Sequence, residues 1–208
     1  DAVHKVEVPA SWSNPEADPA PAKLTGRPET VKMVEDLMNP IALMDGDSLP
    51  VSAFMGNPDG QFEQGASAYE KRGTAVTVPT WDAAKCIQCN QCAFVCSHAT
   101  IRPFMLSEDE VKAAPANIKL ADTKPKASEY KYTMSVSPLD CMGCGECITV
   151  CPVGAIEMVP QESQAEEQPV FDYLVANVGK KPGMPADNTV KGSQFNQPLL
   201  EFSGSCAG

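Results

Sequence analysis

Apolar residues are spread unevenly along the chain. Residues 1–28 carry Pro9, Pro15, Pro19, Pro21 and Pro28 and show no strand or helix period, which predicts extended chain. Pro28-Glu29-Thr30 then opens a helix, because Val31, Val34, Leu37, Met38 and Ile41 recur at helical spacing behind a proline suited to the first turn. Asn39-Pro40 predicts its kink or end. Met33, Met38 and Met44 are expected to pack rather than ligate. Residues 45–73 read as Gly- and Pro-punctuated loop. Four strand-like stretches follow, at 74–78, 101–106, 130–136 and 155–159. Beyond them the chain is polar up to Phe171-Asp172-Tyr173-Leu174. The longest unbroken apolar run is Cys92 to Cys96, too short for a membrane-crossing helix or a signal-peptide core.

The gaps between strands hold the chemistry. Cys86-Ile87-Gln88-Cys89-Asn90-Gln91-Cys92-Ala93-Phe94-Val95-Cys96 lies in the first gap. Cys141-Met142-Gly143-Cys144-Gly145-Glu146-Cys147-Ile148-Thr149-Val150-Cys151-Pro152 lies in the last. Both read C-x2-C-x2-C-x3-C. A disulfide scaffold would spread its cysteines to join distant segments, and structural zinc would leave the third and fourth of each run unused. The spacing suits iron–sulfur cubes: three thiolates of a loop grip one cluster, and the fourth points to the other. This assigns Cys86, Cys89, Cys92 and Cys151 to one [4Fe–4S] cluster, and Cys141, Cys144, Cys147 and Cys96 to a second.

An offset of 55 residues maps each cysteine of the first run onto the second, and carries Val95 to Val150 and Ile101 to Ile156. The expected fold is therefore α+β: a ferredoxin-like two-[4Fe–4S] domain with a pseudo-twofold repeat of strand, cluster loop, short helix and strand, between long irregular N- and C-terminal arms. Its bounds are 74–160, with a surface insertion at about 103–129 whose Ser107-Glu108-Asp109-Glu110 starts a helix. Residues 1–73 form an N-terminal arm with one short helix, and 161–208 a C-terminal linker. Neither arm could bury its few apolar residues alone. His98, two residues past Cys96, is expected on the surface, since eight cysteines already satisfy two clusters. Asp140 and Glu146 accompany the second motif, Lys85 and Arg102 the first. On charge alone the second-motif cluster should be the harder to reduce.

Composition narrows the setting. Leu, Ile, Val and Phe make up about a fifth of the chain, near the lower limit for filling a core, which favours a small packed unit over one large domain. A net charge of −11 argues against nucleic acid or an anionic membrane as partner. No Ser/His/Asp or Cys/His set and no phosphate loop is apparent. With Asp as its first residue, the chain is expected to be a processed or excised piece.

The chain resembles one region of the pyruvate:ferredoxin (flavodoxin) oxidoreductases, or pyruvate synthases. The resemblance rests on Val6-Glu7-Val8-Pro9, Leu49-Pro50-Val51-Ser52-Ala53-Phe54, Glu70-Lys71-Arg72-Gly73, the two cysteine runs with Leu139-Asp140, Lys191-Gly192-Ser193-Gln194-Phe195 and Glu201-Phe202-Ser203-Gly204. It implies an electron-transfer domain that relays single electrons from oxidative decarboxylation of pyruvate to ferredoxin or flavodoxin. Thiamine diphosphate, Mg and a third [4Fe–4S] cluster would belong to the rest of a cytoplasmic enzyme, a homodimer at full length. The resemblance makes Cys206 the first ligand of that third cluster. Ser97 departs from the proline that the family has after the fourth cysteine; Pro152 keeps it. A stand-alone two-cluster carrier, or the iron–sulfur subunit of another oxidoreductase, is the competing reading.

Overall fold

A computed structural model describes residues 4–13, 23–124 and 129–197. The expectation for Cys206 lies outside the described residues.

The helix at Pro28 forms and passes through Asn39-Pro40 instead of ending there. Helix α1 (Pro28–Met33) widens into a π-turn (Val34–Met38) and continues as α2 (Asn39–Ala42). The Asn39 N–H reaches back to Val34 O. Pro40 has no N–H to donate, and the widened turn ahead of it absorbs the missing bond. Met33, Leu37 and Ala66 pack together with Met38, Leu49 and Ala53. Met44 does not join them and is exposed, as are Leu43, Val51 and Met55. Short 3-10 turns punctuate the following loop.

Among the described residues, five strands make two small antiparallel sheets. Strand β1 (Thr77–Trp81) precedes the first cysteine run, whose last turn is α3 (Gln91–Val95). Strand β2 (Ile101–Leu106), helix α4 (Glu108–Ala113) and the two-residue β3 (Ala121–Asp122) follow. Strand β4 (Lys131–Val136) leads to the second run, which contains α5 (Glu146–Thr149) and ends in β5 (Ile156–Pro160). The pairing is crossed. β1 pairs with β5, joining Trp81 to Ile156, and β2 pairs with β4, joining Ile101 to Val136. The strand before one cysteine run is thus bonded to the strand after the other.

All six residues of β2 are buried, and they alternate between two cores. Ile101 and Met105 join Trp81, Tyr132, Met134, Val136, Ile156 and Phe195 around the cysteines. Phe104 and Leu106 face the other way, onto Val170, Leu174 and Val178. Two expectations change here. Residues 103–106 belong to the core and not to a surface insertion. The polar stretch after Val159 contains α6 (Glu167–Asn177), which covers the second face of β2. A last short helix, α7 (Val190–Ser193), brings Phe195 against Tyr132 edge-on, with ring centroids 6.4 Å apart.

The rest of the expected insertion starts as read. Ser107 and Glu110 form a reciprocal capping box at α4. Its far end folds back on the first cysteine loop. Gln88 Nε2 donates to Asp122 O at 2.7 Å, and Lys124 N donates to Gln88 Oε1 at 2.7 Å.

Candidate metal centres

The eight cysteines of the two motifs carry no disulfide. They line two cavities. One is walled by Cys86, Cys89, Cys92 and Cys151 with Ile87, Met134, Val153 and Ile156. The other is walled by Cys96, Cys141, Cys144 and Cys147 with His98, Ile101, Met142 and Met158. Each therefore takes three thiols from one motif and the fourth from its partner motif. The apolar walls cross as well: Ile101 follows the first motif and lines the second cavity, and Ile156 the reverse. Val95 and Val150 are only partly buried.

The loops are shaped by left-handed backbone at equivalent places. Gln88 has φ 60° and Gly143 φ 69°; Asn90 has φ 62° and Gly145 φ 80°. These turns aim amides at sulfur. Gln88 N–H donates to Cys86 Sγ at 3.3 Å, and Gly143 N–H to Cys141 Sγ at 3.3 Å. Glycine suits position 143, where a Cβ would stand 2.8 Å from Thr77 O. Gln88 instead anchors its buried side chain on 122 and 124, as above. Asn90 tolerates the left-handed form, and its amide is used twice: Tyr132 Oη–H donates to Oδ1 at 2.7 Å, and Nδ2–H donates to Lys191 O at 2.8 Å. Beyond the fourth cysteines, Ala155 N–H donates to Cys151 Sγ at 3.2 Å, and Cys96 Sγ lies 3.4 Å from Thr100 Oγ1.

These donor sets fit a [4Fe–4S] cube. Burial, then the neighbouring Cys86, pushes the Cys92 thiol up to about 12; burial, then Cys141, does the same to Cys147. Without cationic iron these thiols stay protonated, so loading displaces protons.

Charges around the cavities differ from their order in the sequence. Arg102 is buried beside Cys96 and Asp140, not beside the first three cysteines. Burial lowers its pKa to about 10, partly offset by Cys96 and Asp140. Its ring neighbour is Phe171, 5.5 Å from the guanidinium carbon. Asp140, also buried, is ion-paired with Lys71 and accepts from Ser137 Oγ at 2.6 Å. Glu146 lines the second cavity as an exposed acid. Near the first cavity, Lys124 Nζ donates to Cys86 O at 2.9 Å. Lys191, whose pKa burial lowers, feels Cys89 and Cys86. His98 is also not where it was expected: it is buried. Sequence order alone missed Tyr132, Gln88, Asn90 and Lys191. The left-handed Asn90 and Gln88 could have been found from their alignment with Gly145 and Gly143.

A 4Fe-4S dicluster domain family matches residues 85–155, and the EKR family, a domain of unknown function, matches residues 17–75. The pyruvate-flavodoxin oxidoreductase of Klebsiella pneumoniae is 45% identical over 208 residues, covering 99% of this chain and 17% of the relative. The pyruvate:ferredoxin oxidoreductase of Moorella thermoacetica is 46% identical over 213 residues, covering 100% of this chain and 18% of the relative. A pyruvate dehydrogenase (NADP+) of Cryptosporidium parvum is 45% identical over 180 residues, covering 85% and 9%. The chain spans less than a fifth of the length of these relatives. The chain is homologous over its whole length to one region of the pyruvate-flavodoxin and pyruvate:ferredoxin oxidoreductases, and its residues 85–155 match a 4Fe-4S dicluster domain.

Proposed function

We propose that the chain is the two-cluster electron relay of a pyruvate oxidoreductase. In this reading Cys86, Cys89, Cys92 and Cys151 hold one [4Fe–4S] cluster, and Cys96, Cys141, Cys144 and Cys147 hold the other. The observation that carries it is the crossed lining of the two cavities, each completed by a cysteine of the opposite motif. The crossed strand pairing supports a pseudo-twofold relation between two strand–loop–helix–strand copies. Bound there, a [4Fe–4S] cluster supplies a low-potential one-electron couple. The chain's own groups anchor and tune it. Eight thiolates fix position. The amides of Gln88, Gly143 and Ala155 turn toward sulfur. Met134 and Ile156 on one side, and Ile101 and Met158 on the other, keep water out.

In an enzyme of the relatives' length, thiamine diphosphate, Mg and a third [4Fe–4S] cluster would lie outside these residues. Pyruvate would supply the electrons, and ferredoxin or flavodoxin would receive them from a homodimer. Eight crowded free thiols suit a reducing compartment such as the cytoplasm. Among the described residues no helix is long and apolar enough to cross a membrane.

In a polypeptide of that length, Cys92→Ser should cost the cluster of its cavity and stop pyruvate-dependent reduction of the carrier. A variant that lacks this cluster yet reduces the carrier at the unmodified rate would refute the relay.

A further inference from the structure

His98 lies in the wall of the cavity formed by Cys96, Cys141, Cys144 and Cys147. Only 9% of it is exposed. Its ring nitrogens have different surroundings. Nδ1 stands 3.3 Å from Ser97 Oγ. Nε2 is enclosed and has no hydrogen-bond partner. Buried polar nitrogens are rarely left this way, and each such case calls for a partner. Thr100, another polar residue of that wall, lies against Cys96 Sγ at 3.4 Å. A serine hydroxyl that donates to Nδ1 leaves the ring proton on Nε2, making that nitrogen a donor. Ser97 stands where the second motif has Pro152, which has no hydroxyl to offer. The 55-residue offset carries His98 to Val153, an apolar residue in the wall of the other cavity.

We propose that His98, held in its Nε2–H form by Ser97, donates a hydrogen bond to a sulfur of the second-motif cluster and raises that cluster's potential. The proposal rests on the ligand assignment above. Reduction adds negative charge that is shared with the sulfurs, and an N–H directed at one of them stabilises the reduced state. Val153 offers nothing comparable to the first-motif cluster, so the effect is confined to one of the two.

The chain contains two histidines, and the other, His4, is exposed far along the sequence from either motif. Labelling with 15N-histidine is therefore nearly site-specific. Pulsed EPR of the reduced, cluster-loaded chain should show 15N coupling to the second-motif cluster, and His98→Leu should abolish it. The same substitution should lower the equilibrium constant for reducing that cluster about tenfold, or about 59 mV for one electron. Ser97→Ala should lower it by less, and the first-motif cluster should not move. Two loaded clusters with no 15N coupling in the unsubstituted chain would overturn the proposal, whether or not His98→Leu folds. An unchanged potential in a loaded His98→Leu chain would also overturn it. Absence of the second-motif cluster from the unsubstituted chain would instead bring down the ligand assignment, and the proposal with it.

Discussion

Arg102 follows Cys96 by six residues, and sequence order attaches its charge to the first motif. The crossed pairing of β2 with β4 moves it to the second. There its Nη1 and Nη2 are buried without partners, so its charge is poorly screened. Asp140, which should have made that cluster harder to reduce, is neutralised by Lys71. The exposed Glu146 remains, and a charge about 7 Å away in high dielectric is worth roughly 25 mV. Glu146→Gln should thus raise the second-motif potential by about that much, and Arg102→Gln should lower it by more. A redox titration followed by EPR reads both, and a rise for Arg102→Gln would contradict the charge argument. Tyr132 makes a different residue-scale demand. It is fully buried, and its hydroxyl supports the left-handed Asn90. Tyr132→Phe leaves that amide oxygen short of a donor and should cost about 1–3 kcal/mol in a urea titration. An unchanged midpoint would mean that the bond does not hold the loop. The spacing points to the same sets of cysteines that line the two cavities. The neighbours that tune them were not, because they arrive from strands far away in the sequence.

Among the elements, three of the four main strands and the first helix were legible because each carries its own period or cap, whereas β1 runs over Thr77–Trp81, three residues later than the expected 74–78. Helix α6 was not, because its apolar residues form a short group within a polar stretch. Their meaning depends on a second surface, the face of β2 that shows Phe104 and Leu106. The continuous burial of β2 signals a strand between two layers, and α6 is the second layer. Leu174, fully buried there, tests this: Leu174→Ala should destabilise by about 2–5 kcal/mol. A cost below 1 kcal/mol, the range of surface substitutions, would return this segment to the status of a linker. Crossing of the strands also predicts crossing of the ligands. Cys151→Ala should damage the cluster of Cys86, Cys89 and Cys92 and spare the one in its own motif. Iron analysis and EPR that show the opposite loss would refute the crossed assignment.

Over the whole molecule, one core surrounds both cavities. Trp81, Ile101, Met134, Val136 and Ile156 pack in it against cysteines of both motifs. Emptying the two cavities leaves apolar walls without contacts, a cost that grows with cavity volume. Removing the iron with a chelator should therefore abolish the cooperative thermal transition of this core. A chelated chain that melts at the loaded temperature would show that the protein, not the clusters, holds the fold. The N-terminal segment has its own small core at Met33, Leu37 and Ala66, separate from the cysteines, so its packing should survive the same treatment. The crossed arrangement itself is tested most directly by anomalous diffraction at the iron edge from crystals of the loaded protein. The account predicts two separate groups of iron, one within bonding distance of Cys86, Cys89, Cys92 and Cys151, the other of Cys96, Cys141, Cys144 and Cys147. Iron bound by the four cysteines of a single motif, or lone metal ions in place of clusters, would contradict it.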